Sequence, residues 1–142
     1  MKMTTTNETA ARLRRSITRM NRKLRSSALG GVSPAQASML ASVDKHGNPS
    51  LGDLAIAEQI QPPSVTRLVK DMELAGLIST AADPLDRRST RVALTAHGRK
   101  ELNDIRQRKT EFLERKLNAL SQSDQLRAAE LAAFLEALLE DE

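Results

Sequence analysis

Between Arg12 and Ala28 apolar residues return every three or four positions, at Leu13, Ile17, Met20, Leu24 and Ala28. That period predicts an amphipathic helix, which the Gly30-Gly31 pair stops. Ser33, Pro34 and Gln36 sit where a capping residue, a first-turn proline and a capping-box partner belong. They open a second helix that carries Ala37, Leu40, Ala41 and Val43 and stops at His46-Gly47. After the turn at Asn48-Pro49, Ser50 and Asp53 repeat the capping pattern for a short third helix facing inward through Leu51, Leu54 and Ala55. Ile60-Gln61-Pro62-Pro63 interrupts it, because proline cannot continue a helix but can begin one. The fourth helix, from Pro62 to Ala75, carries Val65, Leu68, Val69 and Met72 on one narrow arc and ends at Gly76-Leu77.

The period then changes. Ile78, Thr80, Thr90, Val92 and Leu94 are strand formers on either side of the polar run 83–88, which predicts a hairpin with an exposed tip. Thr95 caps a long helix reaching about Leu120, with Leu102, Ile105, Phe112, Leu113 and Leu117 inward. The run Ser121-Gln122-Ser123-Asp124 breaks and re-caps the chain. A last helix from Gln125 to about Leu139 carries Leu126, Ala129, Ala133, Phe134 and Leu138. The expected fold is mainly α with a small β-hairpin. Residues 33–95 form a compact lobe, and the helical segments 6–30 and 96–142 form a single intertwined dimerisation region. Stripes such as Leu13/Ile17/Met20/Leu24 and Leu126/Phe134/Leu138 would leave large apolar patches on a monomer, so a homodimer is expected.

Composition adds an aliphatic core, since the 142 residues include two Phe and no Trp or Tyr. The absence of cysteine removes disulfides and thiolate chemistry. The two histidines, His46 and His97, lie near expected helix ends with no ligand cluster beside them, and no metal or cofactor is expected. Neither a signal-like apolar run near the start nor a membrane-spanning window is visible, so a cytoplasmic protein without membrane contact is expected. No phosphate loop, nucleophile–base pair or metal motif is present, and an enzyme is not expected. The net charge is +4, but its distribution says more. Arg12, Arg14, Arg15, Arg19, Arg22, Lys23 and Arg25 form a run with no acid, whereas Glu130, Glu136, Glu140, Asp141 and Glu142 face only Arg127 across the C-terminal stretch.

Two short helices joined by a tight turn, followed by a hairpin, describe a winged helix-turn-helix. Opposite its apolar arc the fourth helix presents Arg67 and Lys70, flanked by Ser64 and Thr66. Hydroxyls and the helix N-terminus near phosphates, with an arginine one turn along for a guanine edge, suit the major groove of double-stranded DNA. Arg87 and Arg88, followed by Arg91, suit the minor groove from the hairpin tip, and Asp86 is expected to orient one of them through a charge-assisted pair.

The runs Leu51-Gly52-Asp53-Leu54-Ala55, Ser64-Val65-Thr66-Arg67-Leu68-Val69 and Leu74-Ala75-Gly76-Leu77-Ile78 resemble the multiple-antibiotic-resistance regulator (MarR) family of bacterial transcription factors. So does Asp83-Pro84-Leu85-Asp86-Arg87-Arg88, followed by the closing Val92-Ala93-Leu94-Thr95. The resemblance implies a homodimer with interlocked terminal helices that represses transcription from a pseudo-palindromic operator. It also implies release by a small aromatic, phenolic or otherwise anionic effector. By position it places DNA contacts at Ser64, Thr66 and Arg67, and wing-tip roles at Arg87 and Arg88 with Asp86. Family members that sense peroxide through cysteine are no guide here. An effector pocket is expected near Met20, Leu24 and Leu102. The competing reading is a helical adaptor that binds another protein and no DNA. It is favoured by the acidic last helix and disfavoured by the basic wing, and salt-dependent gel shifts separate the two.

Overall fold

The computed structural model describes residues 3–140. The chain order is α1 (Thr6–Ala28), α2 (Pro34–His46), α3 (Leu51–Glu58), α4 (Pro62–Leu74), β1 (Ile78–Ala82), β2 (Thr90–Leu94), α5 (Ala96–Asn118) and α6 (Gln122–Leu139). The mainly helical fold with one antiparallel hairpin is the one expected. Asp141 and Glu142, at the end of the acidic stretch, lie outside the described residues.

Local chemistry explains most boundaries. Ser33/Gln36 and Ser50/Asp53 form reciprocal capping boxes, each satisfying two backbone donors at a helix start. Two expected boundaries need correction. α1 begins at Thr6, six residues before Arg12, because Thr5 and Glu8 form another capping box ahead of the first apolar residue. α6 begins at Gln122 rather than Gln125, since Ser121 is its N-cap and accepts from the Asp124 N–H at 3.2 Å.

The core joins α2, α3, α4, the hairpin and the first half of α5: Met39, Leu40, Val43, Leu54, Val65, Val69, Met72, Ile78, Val92, Leu102 and Ile105 are all buried. On α2 the buried face is Met39, Leu40 and Val43, and Ala41 is exposed. β1 and β2 pair from Ile78↔Leu94 to Ala82↔Thr90, which puts Ile78 and Val92 into the core. A third strand position was not foreseen. Ser50 bridges to Arg91, and the Val92 N–H donates to the carbonyl of buried Pro49 at 2.9 Å, so the α2–α3 connection braces the hairpin.

α5 carries this lobe. Gly98 packs directly on the Leu77 carbonyl. Arg99 and Arg106 both grip Asp44 of α2, at 2.6 and 2.9 Å, and hold its carboxyl below the usual carboxylate range. Arg108 donates to the Ala28 carbonyl at the C-terminal end of α1 at 3.0 Å. The outer helices are different. Ile17 and Met20 of α1 are nearly half exposed, and none of α6 is buried. Among the described residues no helix is long and apolar enough to cross a membrane.

Candidate nucleic-acid interface

α3 and α4 are joined by residues 59–61. Gln59 adopts a left-handed conformation, φ +55°, so its N–H folds back on the carbonyls of Ala55 and Ile56, and Ile60 donates to Ala55 at 3.2 Å. This tight turn sets α4 across α3, with Val65, Val69 and Met72 inside. The opposite face leaves Ser64, Thr66, Arg67 and Lys70 exposed, all four on one helix and none in an ion pair among the described residues.

The start of α4 departs from expectation. Pro62 and Pro63 have no N–H, and the Ser64 N–H is already bonded to the Gln61 carbonyl at 2.9 Å. The helix N-terminus therefore presents few free backbone donors to a phosphate, and side chains must make the contacts there. The Thr66 hydroxyl donates to the Pro62 carbonyl at 3.1 Å, leaving its lone pairs to accept.

The hairpin tip is shaped by two aspartates. Asp83, 7% exposed, is the buried charged residue of the described core. Its Oδ1 accepts from the Leu85 N–H at 2.8 Å, and its Oδ2 takes Nε and a terminal nitrogen of Arg91 at 2.8 and 2.7 Å. The Leu85 N–H and the Arg91 guanidinium hold its carboxyl below the usual range. Asp53, whose own carboxyl is lowered chiefly by its bonds to Ser50, stands 3.7 Å from the same guanidinium. Arg91 is thus gripped in a fork within the lobe and stiffens the wing from inside. Arg87 and Arg88 are exposed at the tip. Asp86 does face Arg88, but weakly: its Oδ1 accepts from the Arg88 N–H at 3.1 Å and stands 3.6 Å from Nε, with both side chains in solvent. The strong aspartate–arginine pair of the wing is Asp83–Arg91. The Asp83-Pro84 turn was visible in the sequence, but its bonding to a residue eight positions on was not.

Met20, Leu24 and Leu102 are not brought together. Leu102 lines a cavity of about 170 Å³ between α1, α2 and α5, with Ile105 and Ala37 as apolar wall and Arg25, Arg106 and Lys109 around it. Met20 lines a separate open groove beside Phe112 and Lys116, and Leu24 lines neither. The helix crossing that separates them follows from α1 lying along α5, an angle no period in the sequence encodes.

A tight helix–turn–helix, an outward basic helix face and an arginine-tipped hairpin define a winged helix-turn-helix regulator that binds DNA. Residues 32–90 match the model of the MarR family. The chain is 30% identical to the HTH-type transcriptional repressor MdtR of Bacillus subtilis over 105 residues, covering 74% of this chain and 68% of that protein. The chain belongs to the MarR family of transcription regulators. The fold is shared with a Pseudomonas aeruginosa protein assigned as a transcriptional regulator, with TM-score 0.80 and 31% identity over 95% of this chain and 96% of that one. It is shared too with a mutant of MepR from S. aureus bound to an oligodeoxyribonucleotide, with TM-score 0.70 and 22% identity over 96% and 99%. A further neighbour is BpsR of Bordetella bronchiseptica, whose DNA binding is regulated by 6-hydroxynicotinic acid, with TM-score 0.57 and 18% identity over 88% and 98%.

Proposed function

We propose that the chain is a homodimeric, sequence-specific repressor that holds a pseudo-palindromic operator and releases it when a small aromatic or phenolic anion binds. The carrying observation is the division of labour among the basic residues: Arg91 is fastened to Asp83, while Arg67, Lys70 and Arg87 form no ion pair among the described residues and Arg88 meets only the solvent-exposed Asp86. In this reading Arg67 reads a base edge in the major groove, Ser64 and Thr66 meet phosphates or base donors, and Lys70 meets the backbone. Arg87 and Arg88 enter or flank the minor groove, Asp86 orients Arg88 through the short loop, and Arg91 acts through the set of the wing. Residues 33–95 are the DNA-binding lobe. Residues 6–30 and 96–142 are the dimerisation region, supported by the exposed apolar residues of α1 and α6. Two-fold symmetry then sets the half-sites about 10 base pairs apart.

The effector reading moves from the Met20/Leu24 neighbourhood to the cavity around Leu102. An apolar wall ringed by Arg25, Arg106 and Lys109 suits a flat anion, and Arg106 is also the residue that ties α5 to α2 through Asp44. A ligand that draws Arg106 away loosens the joint between the DNA-binding lobe and α5, and a coupling of about 1–3 kcal/mol is enough to lower occupancy. The relatives' reported repression and ligand-regulated DNA binding support this reading without supplying it.

Selection of binding sites from random duplexes tests the proposal. It should return an inverted repeat, and the complex should weaken steeply with salt as counterions are released. A purified chain that stays monomeric and enriches no duplex at low ionic strength overturns it.

A further inference from the structure

We propose that Leu85, at the tip of the wing, is a DNA-contacting residue: its side chain packs between the deoxyribose walls of the minor groove while the neighbouring arginines meet the groove's negative potential. The inference rests on the repressor reading and adds an apolar contact to its basic ones. Leu85 is 97% exposed, and no large apolar side chain among the described residues is more so. Single apolar residues are common on protein surfaces; this one is set apart by its place. The exposed apolar residues of α1 and α6 belong to the face that the dimer reading covers. Leu85 stands instead on the β1–β2 connection of the DNA-binding lobe, two residues before Arg87.

The loop holds Leu85 out and holds it still. Asp83, buried and bound to Arg91, accepts the Leu85 N–H at 2.8 Å. The Asp83 N–H donates to the Ser89 carbonyl at 2.8 Å and the Ser89 N–H to the Asp86 carbonyl at 2.9 Å, which closes the loop around the residue. Pro84 fixes the backbone φ just before it. With the backbone anchored, only side-chain rotamers are lost on binding, so an apolar contact made there keeps most of its strength. Nor does the loop repel phosphate. Between residues 83 and 91 three arginines stand against two aspartates, and each aspartate faces an arginine, Asp83 with Arg91 and Asp86 with Arg88. The minor groove is about 6 Å wide and walled by the C–H faces of successive sugars, a slot into which proteins that bind there insert apolar side chains. Burial of the Leu85 isobutyl group in it adds affinity that is indifferent to salt, unlike that of Arg88. Sugar walls are common to every base pair, so Leu85 acts on sequence preference through groove width, which is narrow over A·T runs.

The test replaces Leu85 in the full-length chain and titrates each variant with the duplex recovered by selection, over a range of salt. Thermal unfolding followed by circular dichroism should be the same for every variant, because the side chain lies in solvent in the free protein. Leu85→Ala should raise the dissociation constant about three- to tenfold, with the parent's salt slope. Leu85→Asn, close in size but polar, should lose at least as much, and Leu85→Met should return to within about twofold of the parent. Hydroxyl-radical cleavage attacks the sugar hydrogens that line the minor groove. The parent should protect one such patch beside each half-site, and Leu85→Ala should reopen it. An Ala variant that binds as tightly as the parent, a loss accompanied by a reduced salt slope, full rescue by Asn or an unaltered footprint each overturns the inference. A parent that binds no duplex overturns the repressor reading and this contact with it. A parent that binds while Leu85 is replaceable without loss overturns the contact alone.

Discussion

Replacing Gly98 with alanine tests whether the wing is seated on α5 as described. Gly98 is the third residue of α5 and is buried against the start of β1. A Cβ built there stands 1.9 Å from the Leu77 carbonyl oxygen and 2.9 Å from its carbon, whereas ordinary contact begins at 3.4 Å, so relief needs about 1.5 Å of movement. The obstacle is backbone, and that backbone is committed: the Leu77 carbonyl accepts the Thr95 N–H at 3.2 Å, the Gly76 carbonyl accepts the Thr95 hydroxyl at 2.5 Å, and Leu77 is itself in the core. No rotamer change relieves it. Overpacking costs about 1–3 kcal/mol, and an immovable neighbour puts Gly98→Ala near the top of that range. Alanine's better helix propensity returns up to about 1 kcal/mol, so the net loss is about 2 kcal/mol. In a chain of this size that is a fall of roughly 5–8 °C in Tm. Urea denaturation of parent and variant, monitored by helical circular dichroism, reads it directly. A Gly98→Ala variant as stable as the parent, or more so, would mean that α5 does not approach Leu77 this closely.

Arg67→Ala should weaken binding to the selected operator by about 1–3 kcal/mol and flatten base preference at one position per half-site, read by competition against single-base operator variants; an unchanged preference removes Arg67 from base readout. Arg88→Ala should cost affinity most for operators with A·T-rich flanks and reduce the salt slope by about one, whereas equal losses on all flanks would place Arg88 on phosphates only. Asp83→Asn should lower operator affinity without removing any residue from the DNA-facing surface, because it frees Arg91 and slackens the wing; the same affinity as the parent would show that the Asp83–Arg91 fork does not set the wing. The Asp83 carboxyl is held below its ordinary value of 3.8, so its contribution is present above that pH and is lost as pH falls through the lower folded value. Acid titration of stability should accordingly fall less steeply for Asp83→Asn than for the parent below about pH 4, and parallel curves would contradict the assignment.

What the sequence disclosed and what it hid divide along a physical line. Period, proline and capping chemistry are local. They gave every element in order, the inner face of α4 from Val65, Leu68, Val69 and Met72, and the outward set Ser64, Thr66, Arg67 and Lys70. Even the early start of α1 was written in Thr5 and Glu8, but the polar stretch that follows carries no apolar stripe to draw attention to it. The hidden features all depend on tertiary approach. Arg91 had the same standing as Arg87 and Arg88 in the sequence, yet the antiparallel register sets it beside Asp83 and the bridge from Ser50 brings Asp53 to it. The loss of free donors at the α4 N-terminus needed the Ser64–Gln61 bond as well as the prolines. Met20 and Leu102 were separated by a helix crossing.

The same division explains why the exposed charges are the most informative residues of the chain. A buried side chain is accounted for once its neighbours are known, and here every buried side-chain nitrogen and oxygen of the described residues has a hydrogen-bond partner. Two clusters of exposed cations are kept apart by the fold: Arg67, Lys70, Arg87 and Arg88 on the winged lobe, and the basic run on α1. The first lies on a turn-and-wing scaffold whose rigidity is fixed by Asp83–Arg91, as reading a duplex requires. Of the second, Arg19, Arg22 and Lys23 line a groove together with Met20 and Phe112. The quantity that distinguishes the two clusters is the apolar surface beneath them. Neutralising the α1 run should therefore change assembly before it changes base preference, and neutralising Arg67 should do the reverse.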